Sequence, residues 1–139
     1  MITAGPCNSF KEELLEGIHD FLNDTFKVAL YTNNATIGPD TTAYTTSNET
    51  SGAGYTAGGN TLTGVSVTRS QGIAFVDFGD TTWNAGNFSA RGALLYNSSK
   101  ANRAVGVFEF GEVKTVSGGN FQIQFPPANF TDAVVRIGG

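Results

Sequence analysis

The chain has 139 residues, enough for one domain with a hydrophobic core and too few for two comfortable domains. Only 14% of the residues are charged, against about 25% in a typical protein, and the net charge is −4. The eight Lys and Arg are scattered, which argues against nucleic-acid binding through phosphate neutralisation. We expect no membrane span, because no segment approaches the roughly 20 apolar residues required. We also expect no secretory signal, and we therefore predict that the chain is synthesised in a cytoplasm.

The N-terminal region is predicted to be an extended arm, residues 1–8, followed by an amphipathic helix over residues 9–23. Ser9 and Glu12 have the spacing of a capping box, in which each side chain accepts a hydrogen bond from a free backbone N–H group. Apolar residues recur at helical spacing, at Phe10, Leu14, Ile18 and Phe21. His19 falls on the polar side of this helix, where we expect it to be exposed to solvent.

From Thr25 onward the apolar period changes from 3.6 to 2, which predicts strands. Residues 33–60 are rich in Gly and Thr and are predicted to be a long loop with short β segments. The predicted strands are 26–31, 65–69, 73–79, 88–96, 103–110, 121–125 and 133–137. Turns are predicted at Asn97-Ser98-Ser99 and Ser117-Gly118-Gly119, and Pro126-Pro127 is predicted to stop a strand.

This order of elements predicts a mostly-β fold. We expect an antiparallel β-sandwich or jelly-roll-like domain of about seven strands over residues 9–139, with the helix at its N-terminus.

The sequence lacks the residue sets that catalysis or metal binding needs. One histidine, His19, and one cysteine, Cys7, cannot supply a zinc site, and no base accompanies a nucleophile. Two acid-Phe-Gly-acid segments, Asp77 to Asp80 and Glu109 to Glu112, are predicted to hold strand ends by accepting turn hydrogen bonds. Gly52 to Gly59 lacks the ending of a phosphate-binding loop. We therefore predict no enzyme activity, no cofactor and no metal.

The aromatic residues suggest where a partner would bind. The eleven Phe fall mostly on strand positions and are predicted to be core. The candidate contact residues lie near strand ends and in loops: Tyr31, Tyr44, Tyr55 and Trp83. An amphipathic ring at such a position fits either the edge of the core or an interface.

The sequence resembles small virion proteins of tailed bacteriophages, especially those of cyanobacteria. The resemblance covers most of the chain from Cys7 onward. It is carried by CNSFKEELLEGIHDF, FKVALYTNNATIGPDTTAY, GYTAGGNTLTG, Trp83, RGALLYN, NRAV, FQIQFP and VVRIGG. It implies a capsid decoration (cement) protein, a homotrimer on the outer lattice of the major capsid protein, located on the exterior of the virion.

Two functional hypotheses follow. In the first, the chain binds the assembled lattice and stabilises the head by mass action, with the arm and the 33–60 loop reaching the capsid or neighbouring subunits. In the second, it is a tail- or fibre-associated protein whose exposed Tyr and Trp rings bind a receptor or carbohydrate.

Overall fold

The computed structural model describes residues 1–125 and 135–138. In chain order, the elements are strand β1 (Gly5–Pro6), helix α1 (Asn8–Leu15), and strands β2 (Phe26–Tyr31), β3 (Asn60–Thr61), β4 (Ser66–Ser70), β5 (Ile73–Asp77), β6 (Thr81–Asn97), β7 (Arg103–Ile123) and β8 (Val135–Gly138). Strands and isolated β-bridges make up 52% of the described residues, and that part of the chain contains a single short helix. The mostly-β prediction is therefore confirmed.

The strands form two antiparallel sheets. One sheet has the order β1-β7-β6-β2-β3, and the other has the order β4-β5-β8. The long β6–β7 hairpin runs through the first sheet, with Asn97 opposite Arg103 at the turn and Thr81 opposite Ile123 at the far end. Among the strands that the structure describes, β1 and β2 flank only the part near the turn, and the remainder of the hairpin is a two-stranded ribbon.

The core lies on both faces of β2, which pairs with β6 on one side and with β3 on the other. On one face Phe26 stacks on Phe21, with ring centroids 4.7 Å apart, and it also contacts Phe78. On the other face Tyr31 is fully buried under the 33–60 loop, and its hydroxyl donates a hydrogen bond to the Thr45 carbonyl. The predicted loop therefore serves as the cover of this second face.

Helix α1 is about half as long as predicted, because a glycine ends it. Gly17 adopts a left-handed conformation, with φ +75°. The Ile18 amide donates to the Glu13 carbonyl and the Gly17 amide donates to the Leu14 carbonyl, which is the Schellman pattern at a helix C-terminus. The predicted helical period beyond Gly17 is therefore wrong.

The predicted capping box is also wrong. The helix begins one residue earlier than expected, with Cys7 at the N-cap position and no side-chain cap. Because Ser9 is already the second helical residue, its hydroxyl points into the protein, buried and without a hydrogen-bond partner among the described residues.

Residues 1–7 of the predicted arm precede the helix and do not project from the domain, and Asn8 is already helical. Gly5 and Pro6 pair with β7, and the Cys7 amide donates to the Val105 carbonyl. Ile2 forms a parallel bridge with Ile37 and is buried, as is Cys7. The arm is therefore part of the core, and we expect its removal to disrupt the fold.

The chain does not turn at Ser117-Gly118-Gly119 as predicted. Strand β7 continues through this segment, and Gly118, with φ +79°, lies at an irregularity in the ladder with β6. The predicted stop at Pro126-Pro127 and the first two residues of the predicted last strand, 133 and 134, lie outside the described residues.

Candidate contact surface

Two of the four predicted contact residues lie in the core. Tyr31 is fully buried, and only 4% of Trp83 is exposed because its ring packs against Phe121 and Tyr55. Neither ring offers a stacking surface to a partner. The carbohydrate-binding hypothesis loses the exposed Trp83 on which it depended.

The other two residues, Tyr44 and Tyr55, are half-buried and hold the 33–60 loop in place. The Tyr44 hydroxyl donates to one oxygen of the Glu49 carboxylate at 2.6 Å, and the Tyr55 hydroxyl donates to the other at 2.5 Å. The Gly58 amide also donates to Glu49, at 2.8 Å. Charge-assisted bonds of this kind are among the stronger hydrogen bonds in proteins. Their arrangement indicates that these tyrosines fix the loop.

This network changes the acidity of the tyrosines. Burial, and then the hydrogen bond to Glu49, raise the pKa of Tyr55 far above its usual value of 10. Burial, and then the charge of Glu49, raise the pKa of Tyr96 to about 12. The Tyr96 hydroxyl donates to the Gly58 carbonyl at 2.6 Å, which ties the loop to β6. Both hydroxyls are therefore held in the protonated, donating state.

Three of the four acids in the repeated segments hold local structure. Asp80 accepts a hydrogen bond from the Phe125 amide. Glu109 accepts bonds from Arg91 at 2.6 Å and from the Gly111 amide, and the Arg91 bond holds the pKa of Glu109 below its usual range. Glu112 pairs with Lys114 at 2.7 Å. Asp77 lies opposite Ser66 in the β4–β5 ladder.

His19 is buried, contrary to the prediction of an exposed residue. After the turn at Gly17 its ring packs against Phe10, with centroids 5.0 Å apart. The Asn97 amide nitrogen lies 3.0 Å from His19 Nδ1, and Glu13 Oε1 lies 2.9 Å from His19 Nε2. Because the amide nitrogen of Asn97 only donates, Nδ1 is the acceptor, and the Nε2–H group donates to Glu13.

This histidine belongs to a chain of polar groups that joins α1 to β6. Arg103 donates to Glu13 at one end, and Asn97 donates to Asp24, which also receives Lys100, at the other. Burial acts to raise the pKa of Asp24, but the bonds from Asn97 and Lys100 outweigh it and hold the pKa low. Every ring nitrogen and carboxylate of this polar network has a hydrogen-bond partner. The evident role of the network is therefore to connect the helix to the strands.

The described surface contains an apolar groove. It has a volume of about 820 Å³ and lies between α1, the β1–β7 edge and the end of the β5–β8 pair. Leu14 and Leu15 line it from the helix, Phe108 lines it from β7 and Ile137 lines it from β8. Leu15 is 91% exposed and Ile137 is 51% exposed. Large apolar side chains that line a groove and remain exposed are typical of a binding surface.

The charges around this groove have one sign. Its lining includes two charged side chains, Lys11 and Arg136, and both are cationic. The chain as a whole carries a net charge of −4, so the groove differs electrostatically from the average surface. It complements an apolar partner segment with acidic side chains beside it.

A second exposed feature is the outer edge of β7, defined here as residues 108–120. β7 is flanked by β1 only at Gly106 and Val107, and among the described residues no strand pairs with the side of β7 that faces away from β6 beyond this point. On the other side of the ribbon, the backbone of β6 forms hydrogen bonds with the 33–60 loop. For example, the Asn87 amide donates to the Ala53 carbonyl. The two edges of the ribbon therefore differ, and that of β7 is open as far as residues 1–125 and 135–138 are concerned.

Among residues 1–125 and 135–138, no group of three or more His, Cys, Asp or Glu is arranged to hold a metal ion. Nor does any helix in that part of the chain have the length and apolar character needed to cross a membrane. Comparisons with protein-family models, curated proteins and solved structures found no match to this chain.

Proposed function

We propose that the chain is a non-enzymatic virion structural protein, a capsid decoration protein that binds the outer lattice of a major capsid protein and stabilises the head. A protein that binds only the assembled lattice stabilises it by its binding free energy. In this proposal the domain is a β-sandwich or jelly-roll-like unit, and several copies act together, as expected for a homotrimer.

The observation that supports this proposal is the apolar groove. Burying an exposed Leu contributes about 1.5–3 kcal/mol, and Leu15 is almost fully available for this. We propose that the groove receives an apolar segment of the major capsid protein whose acidic side chains face Lys11 and Arg136.

The test is co-sedimentation of the purified protein with capsids that lack it. Leu15→Ser should weaken binding about tenfold or more, because the lost apolar contact is worth at least about 1.4 kcal/mol. Leu22→Ser is the matched control, since Leu22 is 67% exposed and is not part of the groove lining. Equal binding of Leu15→Ser and the wild-type protein would show that the groove is not the contact.

Quantitative proteomics of purified virions tests the assignment itself. A decoration protein should be present in hundreds of copies, whereas a tail or fibre protein is present in a small number set by the symmetry of the tail. A chain absent from the particle would overturn the proposal altogether.

A further inference from the structure

The outer edge of β7 carries an unusual arrangement of charge. The Glu112 carboxylate and the Lys114 ammonium group meet at 2.7 Å, and Val113 lies between these two residues in the sequence of β7. All three are exposed: the side chains of Glu112 and Lys114 are 71% and 48% accessible, and Val113 is 46% exposed. Val113 is one of few large apolar residues on the surface of the described chain.

Open strand edges are usually protected by charges and bulges. β7 contains such an irregularity directly before Lys114: Glu109 pairs with Gly92 and Lys114 pairs with Ala90, so residues 110–113 lie opposite Arg91 alone. Charges of a single sign would repel a second copy of the same edge. An acid and a base placed symmetrically about an apolar residue have the opposite effect, because an antiparallel copy brings each acid opposite a base.

We propose that two copies of this chain associate through the outer edges of β7, antiparallel, about a two-fold axis at Val113. In this register Glu112 of each copy lies opposite Lys114 of the other, and the two Val113 side chains meet. Directly opposed residues in antiparallel strands have Cβ atoms about 4.5–5.5 Å apart, close enough for both the ion pairs and the apolar contact. This contact is isologous, as closed two-fold assemblies require.

The contact centres on Val113, which does not line the groove, and it does not depend on whether a capsid is the partner. It therefore goes beyond the proposed function. It predicts species with an even number of copies in solution, namely a dimer, or a hexamer if three-fold contacts also form. The proposal would be overturned if every species detected across the concentration range had an odd number of copies, such as a monomer or a trimer.

Charge reversal tests the register. Glu112→Lys alone and Lys114→Glu alone should each weaken self-association about tenfold or more, because two attractive cross-strand pairs become repulsive. An equimolar mixture of the two variants should recover association, since the two bases at the edge of the first variant then face the two acids at the edge of the second. The double variant, Glu112→Lys with Lys114→Glu, should associate like the wild-type protein.

Sedimentation velocity of these five samples gives a clear decision. The two single variants shift the net charge of −4 by two units in opposite directions. A general charge effect would therefore move their association in opposite directions, whereas the proposed register weakens both. Failure of the mixture or the double variant to recover would overturn the proposal. Circular dichroism checks that each exposed substitution leaves the fold unchanged.

Cross-linking provides an independent measurement. Opposed residues in an antiparallel pair have Cα atoms about 4.5–5.5 Å apart, within the range of a disulfide. Val113→Cys should form an intermolecular disulfide under mild oxidation at least about tenfold faster than Val67→Cys. Val67 is similarly exposed, at 47%, but lies on β4, and the native Cys7 is buried. Equal rates for the two variants would contradict the contact at Val113.

Discussion

At the scale of single residues, the polar network that joins α1 to β6 requires an asparagine at position 97. Its amide nitrogen donates to both His19 and Asp24, and its oxygen accepts from the Ser99 amide. Asn97 has no exposed surface, so water cannot replace a lost partner. An amide supplies donors and an acceptor together, which neither a carboxylate nor a hydrocarbon does.

Asn97→Asp should therefore destabilise the protein strongly. The substitution keeps the shape but places a second carboxylate against Asp24 and removes the donor to His19. Leaving an unpaired charge in a buried site costs about 3–5 kcal/mol. Urea unfolding measures the loss. The same substitution at Asn34, which is exposed, should change the free energy of unfolding by less than about 0.5 kcal/mol. Similar losses for the two variants would show that burial of Asn97 is not what matters.

The burial of His19 was predictable only through the residue that ends the helix before it. Helical spacing of apolar residues continues past Gly17, so periodicity alone placed His19 on the polar side of a longer helix. A glycine after a run of Glu and Leu is, however, a common helix stop, because Gly adopts the left-handed conformation at little cost. The pairing of His19 with Asn97, 78 residues away, has no local signal in the sequence.

At the scale of elements, the loop and β2 fit together at Gly59. This residue has φ +79°, and a Cβ atom added to it would overlap the Val28 carbonyl group. The close approach brings Asn60 into register with Val28, which starts β3. A side chain at position 59 therefore meets backbone, which cannot move aside as a flexible side chain can.

Gly59→Ala and Gly118→Ala are a matched pair that separates backbone strain from overlap. Both glycines have φ +79°, but a Cβ at Gly118 meets nothing within 4 Å. Gly118→Ala should cost about 1–2 kcal/mol for the left-handed conformation alone. Gly59→Ala should cost at least about 2 kcal/mol more, because the loop or β2 must shift. Thermal and urea unfolding compare the two, and equal losses would show that the loop adapts without cost.

The elements with a clear period were predictable, and those that depend on distant partners were not. Strand 26–31 is confirmed to the residue, because its alternation needs no other information. The turn after Asn97 was also predicted from local residues. Gly118 was misassigned because a glycine at a bulge and a glycine at a turn look alike in sequence. The attachment of the loop through Glu49 depends on Tyr44 and Tyr55, whose roles emerge only when the chain folds.

At the scale of the whole molecule, buried cysteine and tyrosine side chains with raised pKa values make the free energy of unfolding depend on pH. Burial, and then the charge of Glu13, raise the pKa of Cys7 from 9.0 to about 11. Burial raises the pKa of Tyr31 well above 10, and that of Tyr96 rises to about 12. These groups come from the arm, from β2 and from β6, so they report on the fold as one unit.

The sign of the effect follows from which state keeps its protons. Above pH 9 the unfolded chain loses the thiol proton, and above pH 10 it loses the phenol protons, while the folded chain retains them. The unfolded state then binds fewer protons, so the free energy of unfolding decreases as pH rises, by about 1.4 kcal/mol per pH unit for each such group. Full stability below pH 9 should give way to a steep loss between pH 9 and 12.

Urea midpoints measured across this range test the prediction, with Tyr96→Phe as the comparison. That variant loses the bond to the Gly58 carbonyl and should be less stable at neutral pH, but it has one group fewer that titrates only on unfolding. Its stability should therefore fall less steeply above pH 10 than that of the wild-type protein. The slope of the free energy of unfolding against pH depends on proton binding and not on the stability at neutral pH. The loss of the hydrogen bond and the loss of the titrating group can therefore be measured separately. Parallel curves for both proteins would mean that the Tyr96 hydroxyl titrates alike in the folded and unfolded chains.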